Sequence, residues 1–142
     1  MIAVIAVGVG VVAFDGSNAM AASASTIAVT PTTGLSDGQS VAVTGSGSPG
    51  GALIDTIECE VPVGTSTVSC DTADVTVTTS DASGAFSTTL TVRAQFDGVD
   101  ASTGQPTKKV DCTIAPGCIV LSTTVDANSP AHSNPVAISF SG

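Results

Sequence analysis

The sequence predicts an all-β protein built as a sandwich or Greek-key barrel, and three observations carry that prediction. The apolar content is Val, Ala, Ile and Leu set among many Thr and Ser, with neither Trp nor Tyr. Such β-branched side chains lose rotamer freedom in a helix and pack well on a pleated face. Short alternating runs recur along the chain, punctuated by clusters drawn from 15 Gly and 7 Pro. Long stretches rich in Glu, Lys, Leu or Arg, which favour helix, are missing. A length of 142 residues is enough for one such domain.

Residues 1–24 read as a secretory leader. Ile2 to Phe14 is an uncharged apolar run, too short to cross a bilayer as a helix, which takes about 20 residues. Ala19-Met20-Ala21 and Ala22-Ser23-Ala24 are small-residue sites of the kind signal peptidase cuts, although no Lys or Arg precedes the apolar run. The alternative is a retained segment that adds a strand to a neighbouring molecule's sheet. Residues 25–142 form the folded domain. Thr26–Thr30 and Ser40–Thr44 alternate and stop at Pro31 and at the Gly/Ser/Pro cluster 45–51. Ala52–Glu60 and Ser66–Cys70 pair as a hairpin around Val61-Pro62-Val63-Gly64. Asp74–Thr79 and Ala85–Val92 flank the turn Asp81-Ala82-Ser83-Gly84, and in the second of these Phe86, Leu90 and Val92 share a face. Gln95–Thr107 turns polar and reads as a long loop or mobile ribbon, and Lys108–Thr113, Cys118–Thr123 and Pro135–Phe140 complete the set.

Four cysteines in a Ser/Thr/Gly-rich exported chain read as two disulfides. Of three possible connectivities, the local pairs Cys59 with Cys70 and Cys112 with Cys118 are the natural choice, because each bridges a hairpin or loop. Closing loops of these sizes contributes on the order of 2–3 kcal/mol each. Neither spacing is the short C-x-x-C of structural zinc, and no metal site is expected.

The charge excludes one class of function. Twelve Asp and Glu stand against three Lys and Arg, a net −9 that would repel polyanions, so the protein itself is not expected to grip nucleic acid. Gly45-Ser46-Gly47-Ser48-Pro49-Gly50 matches G-x-G-x-x-G, but Pro49 and a strand follow where a phosphate-binding helix is needed. Asp97, Asp100 and Asp111 lack the spacing of a calcium loop and read as solvated turn carboxylates. The single histidine, His132, lies between Pro130 and Pro135 and reads as a surface residue. With no Gly-x-Ser-x-Gly elbow and no free thiol expected, no catalytic constellation is visible and an enzyme is not expected.

Several segments, taken in order, resemble the neocarzinostatin family, the secreted actinobacterial apoproteins that carry enediyne chromophores. They begin with Val29-Thr30-Pro31, Gly34-Leu35-Ser36-Asp37-Gly38, the cysteines at 59 and 70, Ala73-Asp74 and Asp81-Ala82-Ser83-Gly84. They continue through Ser87–Arg93, Phe96-Asp97-Gly98, Val110-Asp111-Cys112, Cys118, Leu121-Ser122 and Val136–Phe140. The resemblance implies an immunoglobulin-like seven-stranded sandwich with an added two-stranded ribbon, the two local disulfides, and a cleft that shelters a non-covalently held chromophore. Any DNA cleavage then belongs to the released ligand. Val61, Val75 and the stretch Val99-Asp100-Ala101-Ser102 stand where the family carries aromatic rings. Aromatic faces stack on flat ligands better than aliphatic groups, by about 0.5–1.5 kcal/mol. The residues expected to line the cleft are Val61, Val68, Val75, Phe96 and Ser122. The expectation is thus a secreted, monomeric, non-catalytic carrier of a small apolar ligand. The alternative is an adhesive or structural immunoglobulin-like module that self-assembles through its N-terminal strand and has no ligand.

Overall fold

A computed structural model describes residues 25–64, 67–125 and 131–141; the predicted leader lies outside the described residues. Eleven strands are formed: β1 (Thr26–Thr30), β2 (Gln39–Ser46), β3 (Leu53–Glu60), β4 (Ser69–Cys70), β5 (Thr76–Thr79), β6 (Phe86–Val92), β7 (Gln95–Asp100), β8 (Pro106–Asp111), β9 (Cys118–Thr124), β10 (Ala131–His132) and β11 (Val136–Ile138). No helix is among the described elements. The predicted all-β class is therefore observed, with a strand in each of the nine predicted runs and two more at Gln95–Asp100 and Ala131–His132.

β1, β2 and β6 make a three-stranded antiparallel sheet. The opposite sheet is centred on β3 and β9, which pair antiparallel along their whole length from Cys118↔Glu60 to Thr124↔Ile54. β5 pairs with the first half of β3, and β11 with the first half of β9. These strands complete the seven of an immunoglobulin-like sandwich. The remaining strands extend the second sheet: β4 pairs with β3 at Cys59↔Cys70, β7 with β4, β8 with β7, and β10 with the end of β9. The two-stranded ribbon is β7–β8.

Of the two readings of Gln95–Thr107, a loop or a ribbon, the ribbon is the one formed. Gln95–Thr107 is not a long loop: Gln95–Asp100 is a strand, and the turn to Pro106 is short. Its polar sequence hides the alternation because the inward positions of β7 are Phe96 and Gly98. At Gly98 a Cβ would lie 2.7 Å from the Lys108 carbonyl oxygen and 2.8 Å from the Ser69 Cβ. Only the missing side chain lets the ribbon lie against β4. Thr107 Oγ1 then donates to Ser69 Oγ at 2.8 Å, and Lys108 meets Glu60 at 2.8 Å. Of the three predicted turn carboxylates, Asp100 and Asp111 accept from the amides of Ser102 and Thr113, whereas Asp97 is a strand residue facing Lys109.

Between the sheets lies the main core, with Leu35, Val41, Val43, Ile54, Leu90, Val92, Val110 and Val120 almost wholly enclosed. Both predicted disulfides form, Cys59–Cys70 and Cys112–Cys118. They lie in different places. The second is part of the main core, whereas the first belongs to a smaller cluster with Ile57 and Ile119.

Candidate functional site

The small cluster is the base of the site, and strand parity explains it. Successive residues of a strand point to opposite faces. On β3, Ile54, Thr56 and Glu58 point into the sandwich while Leu53, Asp55, Ile57 and Cys59 point outward. On β9, Cys118, Val120, Ser122 and Thr124 point inward while Ile119, Leu121 and Thr123 point outward. The registers Ile119↔Cys59 and Leu121↔Ile57 put four apolar outward residues side by side.

The usual order of a half-solvated sheet, apolar in and polar out, is blurred here, because hydroxyls and an acid share the inner face with Ile54 and Val120. Inward, Thr56 and Ser122 are fully buried and share a hydrogen bond of 2.8 Å, and the Ser122 amide donates to Ser133 Oγ at 3.0 Å. Buried hydroxyls are tolerable because they are paired. Outward, the apolar surface forms the floor of a cleft of about 540 Å³, within the range of small-molecule sites. One wall is the disulfide hairpin, through Pro62, Thr67 and Val68, joined by Asp100, Ala101 and Ser102 at the tip of the ribbon. The other wall is Thr123, His132, Ser133 and Pro135. A smaller hollow of about 310 Å³ shares Pro62, Thr67 and Val68 and is bordered by Val61, Glu60 and Lys108.

Two polar groups mark opposite sides of the greasy floor. His132 pairs with Thr123 across β10 and β9, and its Nδ1 lies 2.9 Å from Thr123 Oγ1, which fixes the ring against that wall. On the ribbon side, hydrogen bonds from the Ser102 hydroxyl and amide hold the Asp100 carboxyl below the usual carboxylate range.

Beneath the floor lies an unusual acid. Glu58 is 1% exposed, and burial, reinforced by Asp71, Asp74 and Asp37, pushes its carboxyl up to about 8 against one lowering hydrogen bond from the Arg93 amide. Its Oε1 accepts from that amide at 2.7 Å, and its Oε2 lies 3.3 Å from Cys112 Sγ. That sulfur is already bonded to Cys118 and carries no hydrogen, so the contact is a hydrogen bond only when Glu58 is protonated and donates from Oε2. For the same reason Glu58, Cys112 and Cys118, though clustered, offer no thiolate to a metal ion.

Of the five residues read from the sequence, Val68 lines the cleft. Val61 packs behind the floor cluster and borders the smaller hollow. Phe96 and Ser122 point into the main sandwich, and Val75 lies before β5, partly exposed and outside the lining of the cleft. A single step along the strand separates Ser122 from Leu121 and Thr123, and such a step exchanges faces. Ile57, Ile119, Leu121, Thr123 and His132 line the cleft as well and were missed, and the parity of β9 relative to the core-bound Cys118 is the signal that finds three of them, Ile119, Leu121 and Thr123.

The family model described as the neocarzinostatin family matches residues 27–140. The chain belongs to the neocarzinostatin family. Among its relatives is the antitumor antibiotic C-1027 apoprotein of Streptomyces globisporus, 41% identical over 107 residues, covering 75% of this chain and 71% of the relative. Actinoxanthin from the same organism is 41% identical over 104 residues, with 73% and 69% covered. The solved structure of macromomycin superposes with a TM-score of 0.71 at 32% identity, covering 83% of this chain and all of that one. Apokedarcidin gives a TM-score of 0.62 at 28% identity, with 84% and 100% covered. The neocarzinostatin-family match therefore takes in every strand that builds the cleft, from β3 to β11.

Proposed function

We propose that the chain is a secreted, non-catalytic carrier that holds and shelters a small apolar guest of the enediyne-chromophore type in this cleft. One observation carries the reading: the outward face of β3 and β9 presents Ile57, Ile119 and Leu121 to an open space of about 540 Å³, while polar Thr56 and Ser122 are turned inward. Covering such a floor stabilises a complex by roughly 25 cal/mol per Å² of apolar area removed from water. Kinship with antibiotic apoproteins supports the same reading. All four cysteines are oxidised, so a reactive guest meets no thiolate in the protein. With a net charge of −9, the carrier leaves nucleic acid to its guest.

The floor is aliphatic, so a guest is held there by apolar contact and not by stacking on rings. The His132–Thr123 wall supplies a hydrogen-bonding partner for one polar substituent. The test is equilibrium titration with N-phenyl-1-naphthylamine, a neutral apolar fluorophore, against the wild type and Leu121→Asp. Saturable one-to-one binding that the variant loses by tenfold or more is expected. Equal signals from the two proteins would remove the cleft as a binding site. Intact mass of the protein from its producing culture reads the leader cleavage and any bound small molecule together.

A further inference from the structure

We propose that Glu58 is a neutral acid built into the underside of the cleft floor, and that its ionisation loosens the floor and releases the guest under alkaline conditions. The release step rests on the carrier reading; the ionisation step does not.

The argument is one of position and of missing counter-charge. Glu58 lies between Ile57 and Cys59, and opposite Val120, which lies between Ile119 and Leu121, so its neighbours on both strands are floor residues. The elements packed around it contribute three acids, uncharged groups and one cation that is already paired. The turn before β2 contributes Asp37, whose carboxylate is engaged by the Ala94 amide at 3.0 Å. The segment after β4 contributes Asp71, whose amide donates to the Glu58 carbonyl at 2.8 Å, and Asp74. The end of β6 contributes Arg93, the one cation in this group, but its Nε is bound to Asp74 at 2.8 Å and gives Glu58 only a backbone amide. The end of β8 leads to the Cys112 sulfur, an acceptor. Asp71 is itself 3% exposed, its Oδ2 has no hydrogen-bond partner among the described residues, and burial beside Asp74 raises its carboxyl too. A charge on Glu58 would therefore be buried, unpaired and surrounded by like charge, and it would cost the O–H···S contact. The remedy open to the chain is to admit water by parting β3 from the Asp71 and Arg93 segments. That movement disturbs Cys59–Cys70 and the floor it anchors.

The sign follows from linkage. A carboxyl raised from 4.5 to about 8 on folding gives stability that is complete below pH 4.5, is lost progressively as pH rises to about 8, and changes no further above that. Asp74, Asp81, Asp100 and Asp111 are lowered by their hydrogen bonds and act oppositely, stabilising above their ordinary range and losing that stability only as pH falls through it. Maximum stability is expected near pH 4–5.

Glu58→Gln is the decisive variant, because an amide keeps both a donor and an acceptor and cannot ionise. In urea unfolding, the wild-type folding constant should drop on the order of a thousand-fold between pH 4.5 and 8 relative to the variant; parallel profiles overturn the proposal. The carboxyl carbon-13 resonance of Glu58 in the wild-type protein should titrate near pH 8, and a midpoint near 4.5 overturns it even where the variant fails to fold. Binding of N-phenyl-1-naphthylamine should weaken at least tenfold between pH 6.5 and 9 in the wild type and persist in Glu58→Gln. Equal weakening overturns the release step. Absence of binding to both proteins at pH 5 overturns the carrier reading and release with it, while the unfolding and resonance data still decide the ionisation.

Discussion

The two faces of the β3–β9 pair are built from alternate residues of the same strands, yet they do opposite work. The inner face meets a second sheet, and Ile54 and Val120 vanish into a core closed by Leu90, Val41 and Val92. The outer face meets only the hairpin and ribbon tip on one side and the Thr123, His132, Ser133 and Pro135 side on the other, which stand as walls around a cleft. Composition therefore does not decide which side is sealed. The inner face holds Thr56, Glu58 and Ser122 beside Ile54 and Val120 and is closed by a second sheet, whereas the outer face holds Ile57, Ile119 and Leu121, which are largely screened by their neighbours yet border an open cleft. What differs is whether the fold supplies a covering layer.

Truncating either face should separate stability from binding. The largest effect is expected at Leu90→Ala, which opens a cavity in the sealed core and should cost about 2–5 kcal/mol in urea unfolding, with guest affinity of the folded fraction unchanged. Next is Ser122→Ala, which leaves buried Thr56 Oγ1 without its partner at 2.8 Å and should cost about 1–3 kcal/mol. Adding Thr56→Val should recover much of that loss, and failure to recover would mean that the pair does more than satisfy itself. On the open face, Leu121→Ala should cost under about 1 kcal/mol of stability while weakening N-phenyl-1-naphthylamine binding several-fold. The smallest change is a gain: Val68→Trp places a ring on the cleft wall and should tighten binding of that aromatic probe by about 2- to 10-fold, whereas Val75→Phe, outside the lining, should leave it unchanged.

Much of the architecture was legible because alternation and turn chemistry are local. β1, β2 and β6 announce themselves by their apolar spacing, and the cysteine spacings point to the two bridges. The site was less legible because it depends on which face of a strand is covered, and that is a property of the whole topology. Ile119-Val120-Leu121 is a continuous apolar run, so sequence alone does not say that Val120 belongs to the core and its two neighbours to the cleft. Ser122 illustrates the same difficulty, since the resemblance located the segment but not its parity. His132 read as a surface residue between prolines, and only the β9–β10 pairing brings it to the rim. Glu58 gave no sign of burial, because a lone acid between Ile57 and Cys59 reads as an outward residue of a half-solvated strand.

Gly98 gives the site an adjustable dimension. The two ribbon strands meet each other and the hairpin through contacts that even one methyl group would prevent, so the set of that wall is governed at a point outside the cleft lining. An alanine there would act as a shim, displacing the wall without replacing any side chain of the lining. Size selection and chemical selection can then drift independently in descendants of this chain, one through a spacer and the other through the lining.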